Sequence, residues 1–225
     1  MDKRIITPLL FGLIGVAILV SLGVWQLQRL KWKTGILAQI DAKIAADPVP
    51  LPANPDPVRD QYLPVRISGT ISTDEIHILA SVQKIGPGYR IISAFETDDG
   101  RRVLLDRGFV AIPAKDAPRP EVHAVIIGNL LWPDEITSAT PKPDQKRKIW
   151  FARDIPAMAA ALHSEPVLVV QRESDEVSLV TTPFPVTSAG IPNRHLEYVV
   201  TWFGLALAWL GMTTYLIWRI RRRNE

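Results

Sequence analysis

His195 is the residue of this chain whose type and position most readily suggest chemistry. It stands three positions before Tyr198, where a long apolar run begins. Helical steps of three, four and seven put Tyr198, Val199 and Trp202 on its face, and Ala206 continues that face. An imidazole at a membrane edge, above an apolar and partly aromatic wall, could ligate a haem iron through a ring nitrogen. Arg194 and Arg29, with Lys31 nearby, could pair with the propionates of such a haem. The plainer reading is an interfacial histidine at a helix start that hydrogen-bonds only water, and spacing alone leaves both open.

Other chemistry is poorly provided for. His77 and His123 sit on strand-like runs and His163 ends a short helix. None has a second histidine or a carboxylate at metal-ligand spacing, so solvated or satisfied surface roles are expected. No GxSxG, HExxH, P-loop or GxGxxG occurs, and no serine is set in a nucleophile turn, which counts against a membrane-anchored exported hydrolase. Gly86-Pro87-Gly88 reads as a turn and Lys142 to Lys148 as a solvated basic loop that could face lipid headgroups or a partner. With no cysteine there is no disulfide, no CxxCH haem attachment and no thiolate zinc or copper site. Met1, Met158 and Met212 offer no soft-ligand cluster, which disfavours a copper chaperone. A formal net charge of +3 is too small to imply nucleic acid.

Two apolar runs must position His195 and its neighbours. No charged side chain occurs from Ile5 to Gln28 or from Tyr198 to Trp218. At about 24 and 21 residues, both reach the roughly 20 that cross a hydrocarbon core as a helix. The first run exceeds a usual signal core and no small-x-small site follows it, so a retained anchor is expected. The short basic start Met1-Asp2-Lys3-Arg4 has no Arg- and Ser-rich leader ahead of it, which points to a bacterial rather than an imported organellar protein. The compact Arg219-to-Arg223 cluster should keep the C-terminus inside, whereas a long loop crosses largely regardless of its charge. Both termini are therefore expected to be cytoplasmic and the central domain periplasmic. Trp25, Tyr198 and Trp202 would mark the outer interface and Trp218 the inner one. Gly204, Ala208 and Gly211 on the second run, and Ala17 with Ser21 on the first, are expected to let the helix backbones approach. The same small surface could dock a partner's helices or leave room for a flat ligand.

Between the runs, helical periodicity continues through Leu30, Ile36, Leu37, Ile40 and Ile44. Pro48, Pro50, Pro52, Pro55, Pro57 and Pro64 then mark a semi-rigid extended linker. Alternating runs follow at Tyr62 to Thr70, Glu75 to Val82, Tyr89 to Thr97 and Arg102 to Val110, the last two joined by the turn signal Asp98-Asp99-Gly100. Ala124 to Trp132, Lys148 to Arg153 and Val167 to Arg172 complete the strands. Ile155 to His163 reads as one helix, capped by Asp154 with Pro156 in its first turn. The expected architecture is two transmembrane helices flanking an α+β, mainly antiparallel β extramembrane domain, a curled or barrel-like sheet. Its expected divisions are transmembrane helix 1 at 5–28, a helical extension and Pro-rich linker at 29–60, the exported domain at 61–194, transmembrane helix 2 at 195–218 and a basic cytoplasmic tail at 219–225.

Taken together, four ordered blocks resemble the surfeit locus protein 1 family. They are Leu22-Gly23-Val24-Trp25-Gln26-Leu27-Gln28-Arg29 with Lys33; Gly88-Tyr89 through Phe95, then Gly100 and Asp106-Arg107-Gly108-Phe109-Val110; Trp150-Phe151-Ala152-Arg153-Asp154; and Pro192-Asn193-Arg194-His195-Leu196-Glu197-Tyr198 with Thr201-Trp202-Phe203. Arg194 stands where the family often has a second Asn, Glu197 where Gln is common and Ala111 where Pro often follows. The resemblance implies a non-enzymatic assembly factor or chaperone of the respiratory chain. It would bind haem a transiently and promote its insertion into subunit I of cytochrome c oxidase, in the bacterial inner membrane. It further implies His195 as axial ligand of the haem iron, Trp202 and Trp25 as walls, Arg29, Arg194 and Tyr198 around the same cofactor, and subunit I and possibly haem a synthase as partners. The alternative is a scaffold that stabilises subunit I without haem, with Arg107 and Trp150 shaping a protein-binding surface. Against that stands a purely structural role for both, Arg107-Gly108 pinning a hairpin and Trp150 filling core.

Overall fold

The computed structural model describes residues 3–82, 85–144, 146–176 and 181–223. Met1 and Asp2, the side chains of Lys3 and Arg4, Gln145 of the basic loop and the last two residues of the basic tail lie outside the described residues. The chain divides into two units, Met1–Gln39 with Ser188–Glu225, and Ile40–Thr187.

The first unit is a helix pair. α1 (Lys3–Ile44) contributes all but its last residues and α3 (His195–Arg222) the rest. Both are long and apolar enough to cross a membrane. Three glycines of α1 serve as notches for larger side chains of α3. A Cβ at Gly12 would meet Thr213, one at Gly15 the Trp209 indole and one at Gly23 the Phe203 ring. As α1 advances its partners on α3 recede, so the helices are antiparallel. Gly12, Gly15, Gly23 and Gln26 follow helical spacing along one face, and Val199, Trp202, Ala206, Trp209 and Thr213 do so on α3. The contact therefore does not use the expected small residues. Gly204 and Gly211 have nothing within 4 Å, and Ala17, Ser21 and Ala208 are exposed. The remaining surface is apolar and open, as with Phe11, Ile14, Leu207 and Leu210, which suits side chains solvated by lipid.

The second unit is a sheet closed on itself. β2 (Pro64–Val82) pairs with β5 (Val122–Leu130) through its first half and with β3 (Gly86–Thr97) from Gly69 onward. β3 pairs with β4 (Arg102–Ala111), β4 with β7 (Leu168–Ser174), and β7 returns to β5. The pairings of this ring are antiparallel except β4–β7. Short β1 (Val49–Pro50) and β6 (Ile149–Trp150) add parallel to β2. The ring is not a regular barrel: the register slips at Ile71/Glu75, Ile91/Ile92 and Ile127/Gly128, and each slip bends a strand sharply. Gly108 (φ 109) sits at the second slip. Its missing side chain admits the Thr182 carbonyl, which accepts the Phe109 N–H at 2.7 Å.

One core draws on all five ring strands, through Val65, Ile71, Phe95, Leu105, Ile126 and Val169. The other lies between the opposite sheet face and α2 (Ile155–Ala161), with Leu104, Trp150, Met158 and Leu168. Asp154 caps α2 by accepting the Ala157 N–H at 3.1 Å. The helix stops short of the expected His163. That residue takes a left-handed φ of 50, and the Ser164 N–H reaches back to the Ala159 carbonyl at 2.8 Å, closing a Schellman turn.

Candidate functional site

The site is built where α3 begins. His195 is the first residue of α3, on the stripe that faces α1. One turn beyond Gly23, α1 presents Gln26, a polar side chain only 8% exposed near the end of the charge-free run. Gln26 Oε1 and His195 Nδ1 lie 2.8 Å apart, across 169 residues of sequence. An amide oxygen carries no hydrogen, so Nδ1–H donates and Gln26 accepts. In the neutral ring Nε2 then keeps its lone pair, and it makes no hydrogen bond among the described residues. Two positions earlier, Asn193 Oδ1 is buried without a hydrogen-bond partner among the described residues.

The other residues expected at this site are placed as follows. Trp202 is half-buried on the same stripe of α3 as His195. Tyr198 is 52% exposed and Trp25 49% exposed, so neither is packed into the helix contact. The Arg29 guanidinium lies 5.8 Å from the Trp25 ring and 5.1 Å from that of Trp32, held between two aromatic faces. Arg194 is exposed at the N-cap of α3 and its side chain caps nothing. Gln26, Trp32 and Asn193 were not anticipated. Trp32 had a local signal, since it lies three residues after Arg29 as Trp25 lies four before.

Polar groups buried in the sheet unit are arranged differently. Arg107, 1% exposed, donates to Glu176 at 2.8 Å. Arg90 contacts fully buried Asp106 and stacks 4.3 Å from the Phe184 ring, while Arg153 pairs with Glu135. Burial pushes the Asp106 carboxyl above its ordinary range against the pull of Arg90. Glu75 accepts from Arg119 at 2.6 and 2.8 Å and contacts His77 Nε2 at 2.8 Å. Burial would raise Glu75, but the hydrogen bonds and charges of Arg119 and His77 prevail and hold it at about 2. His77 is thus not a solvated surface residue: β6 covers that stretch of β2, and the ring is 4% exposed. His123, which is exposed, contacts Asp98 at 3.0 Å.

A pocket of about 280 Å³ opens beside Arg90, Glu135, Phe151 and Arg153, and a wider groove of about 830 Å³ runs between Glu75, Trp150 and Leu162. The charged groups of the first are already paired, Arg153 with Glu135 and Arg90 with Asp106 behind it, and neither holds a nucleophile beside a base. No cluster of three metal-ligating side chains occurs among the described residues. Arg107 and Trp150 are both buried, as the structural role expected for them requires, and Trp150 also walls the wider groove.

A family model described as the SURF1 family matches residues 13–207, a span that includes Gln26, Arg29, His195 and Trp202. The chain is 28% identical over 228 residues to Surfeit locus protein 1 of Rattus norvegicus, covering 88% of this chain and 71% of that protein. It is 30% identical over 222 residues to Surfeit locus protein 1 of Xenopus tropicalis, covering 87% and 70%. To the SURF1-like protein of the bacterium Rickettsia felis it is 30% identical over 223 residues, covering 94% of this chain and 95% of the relative.

Proposed function

The chain belongs to the SURF1 family, and from that premise we propose that it is a membrane-anchored assembly factor for haem–copper respiratory oxidases, not an enzyme. Its cargo is haem a, which it binds and passes to subunit I of cytochrome c oxidase. The observation that carries this reading is His195, whose Nδ1 is engaged by Gln26 while Nε2 keeps an open lone pair beside the stripe of Val199 and Trp202. A single imidazole without thiolate or thioether neighbours suits a haem iron held through one protein ligand and later released. Trp202 would lie against the macrocycle. Arg29, held between Trp25 and Trp32, and exposed Arg194 would meet the propionates, and Tyr198 and Trp25 would form the outer margin. Both termini are cytoplasmic on this reading and the sheet unit is periplasmic, in a bacterial inner membrane. There it engages subunit I and haem a synthase.

The test is the visible spectrum and pyridine haemochrome of the full chain purified from a host that makes haem a, beside His195→Ala. The expected result is haem a near one per chain, lost or spectrally shifted in the variant. Absence of haem from both proteins, from membranes that contain haem a, overturns the carrier reading and leaves a scaffold that stabilises subunit I.

A further inference from the structure

We propose that Gln26 is a positioning residue that sets the tautomer of His195 and thereby selects Nε2 as the ligand nitrogen. The inference rests on the reading of His195 as the haem a ligand and adds the residue that prepares it. In water a neutral histidine ring carries its proton mainly on Nε2, the nitrogen that must be bare to bind iron. The contact between Gln26 Oε1 and Nδ1 at 2.8 Å reverses that preference. In the amide orientation of the structure, with Oε1 toward the ring, a proton on Nε2 would leave the buried amide oxygen facing a nitrogen lone pair.

Gln26 is held for this task by its place on α1. It is buried, one turn from Gly23, where the absent side chain lets the Phe203 ring close onto the helix. The choice of an amide also matters. A carboxylate behind a ligating imidazole makes the ring a stronger electron donor and ties it more firmly to the metal. A neutral amide orients the ring as well but raises its basicity less. That suits a ligand which must be surrendered to an acceptor, and it distinguishes this arrangement from a histidine that keeps its iron.

Two measurements on the full chain in detergent decide the matter. The first is the ¹⁵N–¹H spectrum of the apoprotein labelled in histidine. The His195 ring should show the Nδ1–H tautomer in the wild type and return to mainly Nε2–H in Gln26→Leu. The second is the rate of haem a transfer to excess apomyoglobin, together with the midpoint potential. Transfer should be about 10–100-fold faster from Gln26→Leu. From Gln26→Glu it should be slower than wild type, with a more negative potential. A residue that merely packs the helices would not move the two variants in opposite directions. An Nε2–H tautomer in the wild-type apoprotein overturns the inference. So does an unchanged transfer rate in Gln26→Leu while His195→Ala abolishes haem binding. Retention of haem by His195→Ala sinks the ligand reading instead, and the apoprotein spectrum still decides whether Gln26 sets the tautomer.

Discussion

The helix pair and the sheet unit both bury polar side chains, but they use them differently. In the sheet unit buried charge is matched by buried charge: Arg107 with Glu176, Arg90 with Asp106, and Arg119 with Glu75 and His77. Each such set costs desolvation and returns it only while both partners remain, so it fixes the register of strands distant in sequence. The helix pair is joined instead by apolar notches, and its polar contact across the two helices, Gln26 with His195, pairs an amide with an imidazole. That contact leaves one nitrogen of the pair uncommitted. Paired buried charges therefore mark architecture here, and on the proposed reading the imidazole with one nitrogen left open is where the haem is taken up.

The comparison breaks most severely at Arg107. Arg107→Leu leaves Glu176 as an uncompensated charge inside the ring and should cost the full-length protein about 3–5 kcal/mol. It should be read as a lower denaturant midpoint by the strand signal in far-UV circular dichroism. A protein that still folds in detergent should keep the His195 ring signal of the wild type, because that contact lies in the other unit. A smaller loss is expected from acid at Glu75. Its folded pKa of about 2 lies below the ordinary 4.5. The stabilisation is accordingly complete above about pH 4.5 and is lost as pH falls from there toward 2. It amounts to about 2–3 kcal/mol. Glu75→Gln should flatten the stability–pH curve across that window, and an unchanged slope would show that the Arg119–Glu75–His77 set adds no net stability.

How far the sequence reveals this division depends on the range of the contacts involved. The two helices follow from charge-free runs, and most strands from local alternation with turn signals such as Asp98-Asp99-Gly100, because each is decided within ten to twenty residues. Ring closure is not local. The runs at Tyr62–Thr70 and Glu75–Val82 are one bent strand, and the parallel β4–β7 pair joins segments about sixty residues apart. His77 looked superficial because its own run offers no partner at metal-ligand spacing, and β6 returning beside β2 buries it. At the candidate site, His195 and Trp202 were legible from helical spacing. Gln26 was not, since an apolar run that ends in two amides, Gln26 and Gln28, reads as an interface until the partner 169 residues away is known. The helix contact had a legible signal that was passed over. Gly12, Gly15, Gly23 and Gln26 fall on one face at steps of three, eight and three, whereas the small-xxx-small pattern of Gly204 and Ala208 lies on the opposite, open side.

That contrast between two glycine positions supplies the smallest and most selective perturbation. At Gly15 an added side chain would occupy the space of the Trp209 indole, whereas Gly204 has nothing within 4 Å. Gly15→Leu must push the helices apart or force Trp209 from its rotamer, at roughly 1–3 kcal/mol. Gly204→Leu adds only a lipid-facing side chain and a better helix former. Hydrogen exchange followed by mass spectrometry on the full chain should show faster exchange along α3 for Gly15→Leu, with peptides from β2, β3 and β4 unchanged. Gly204→Leu should match the wild type throughout. If Gly204→Leu instead loosened α3 as much as Gly15→Leu, the face bearing Gly204 and Gly211 would have to be the packed one, and the position of Gln26 opposite His195 would have to be redrawn with it.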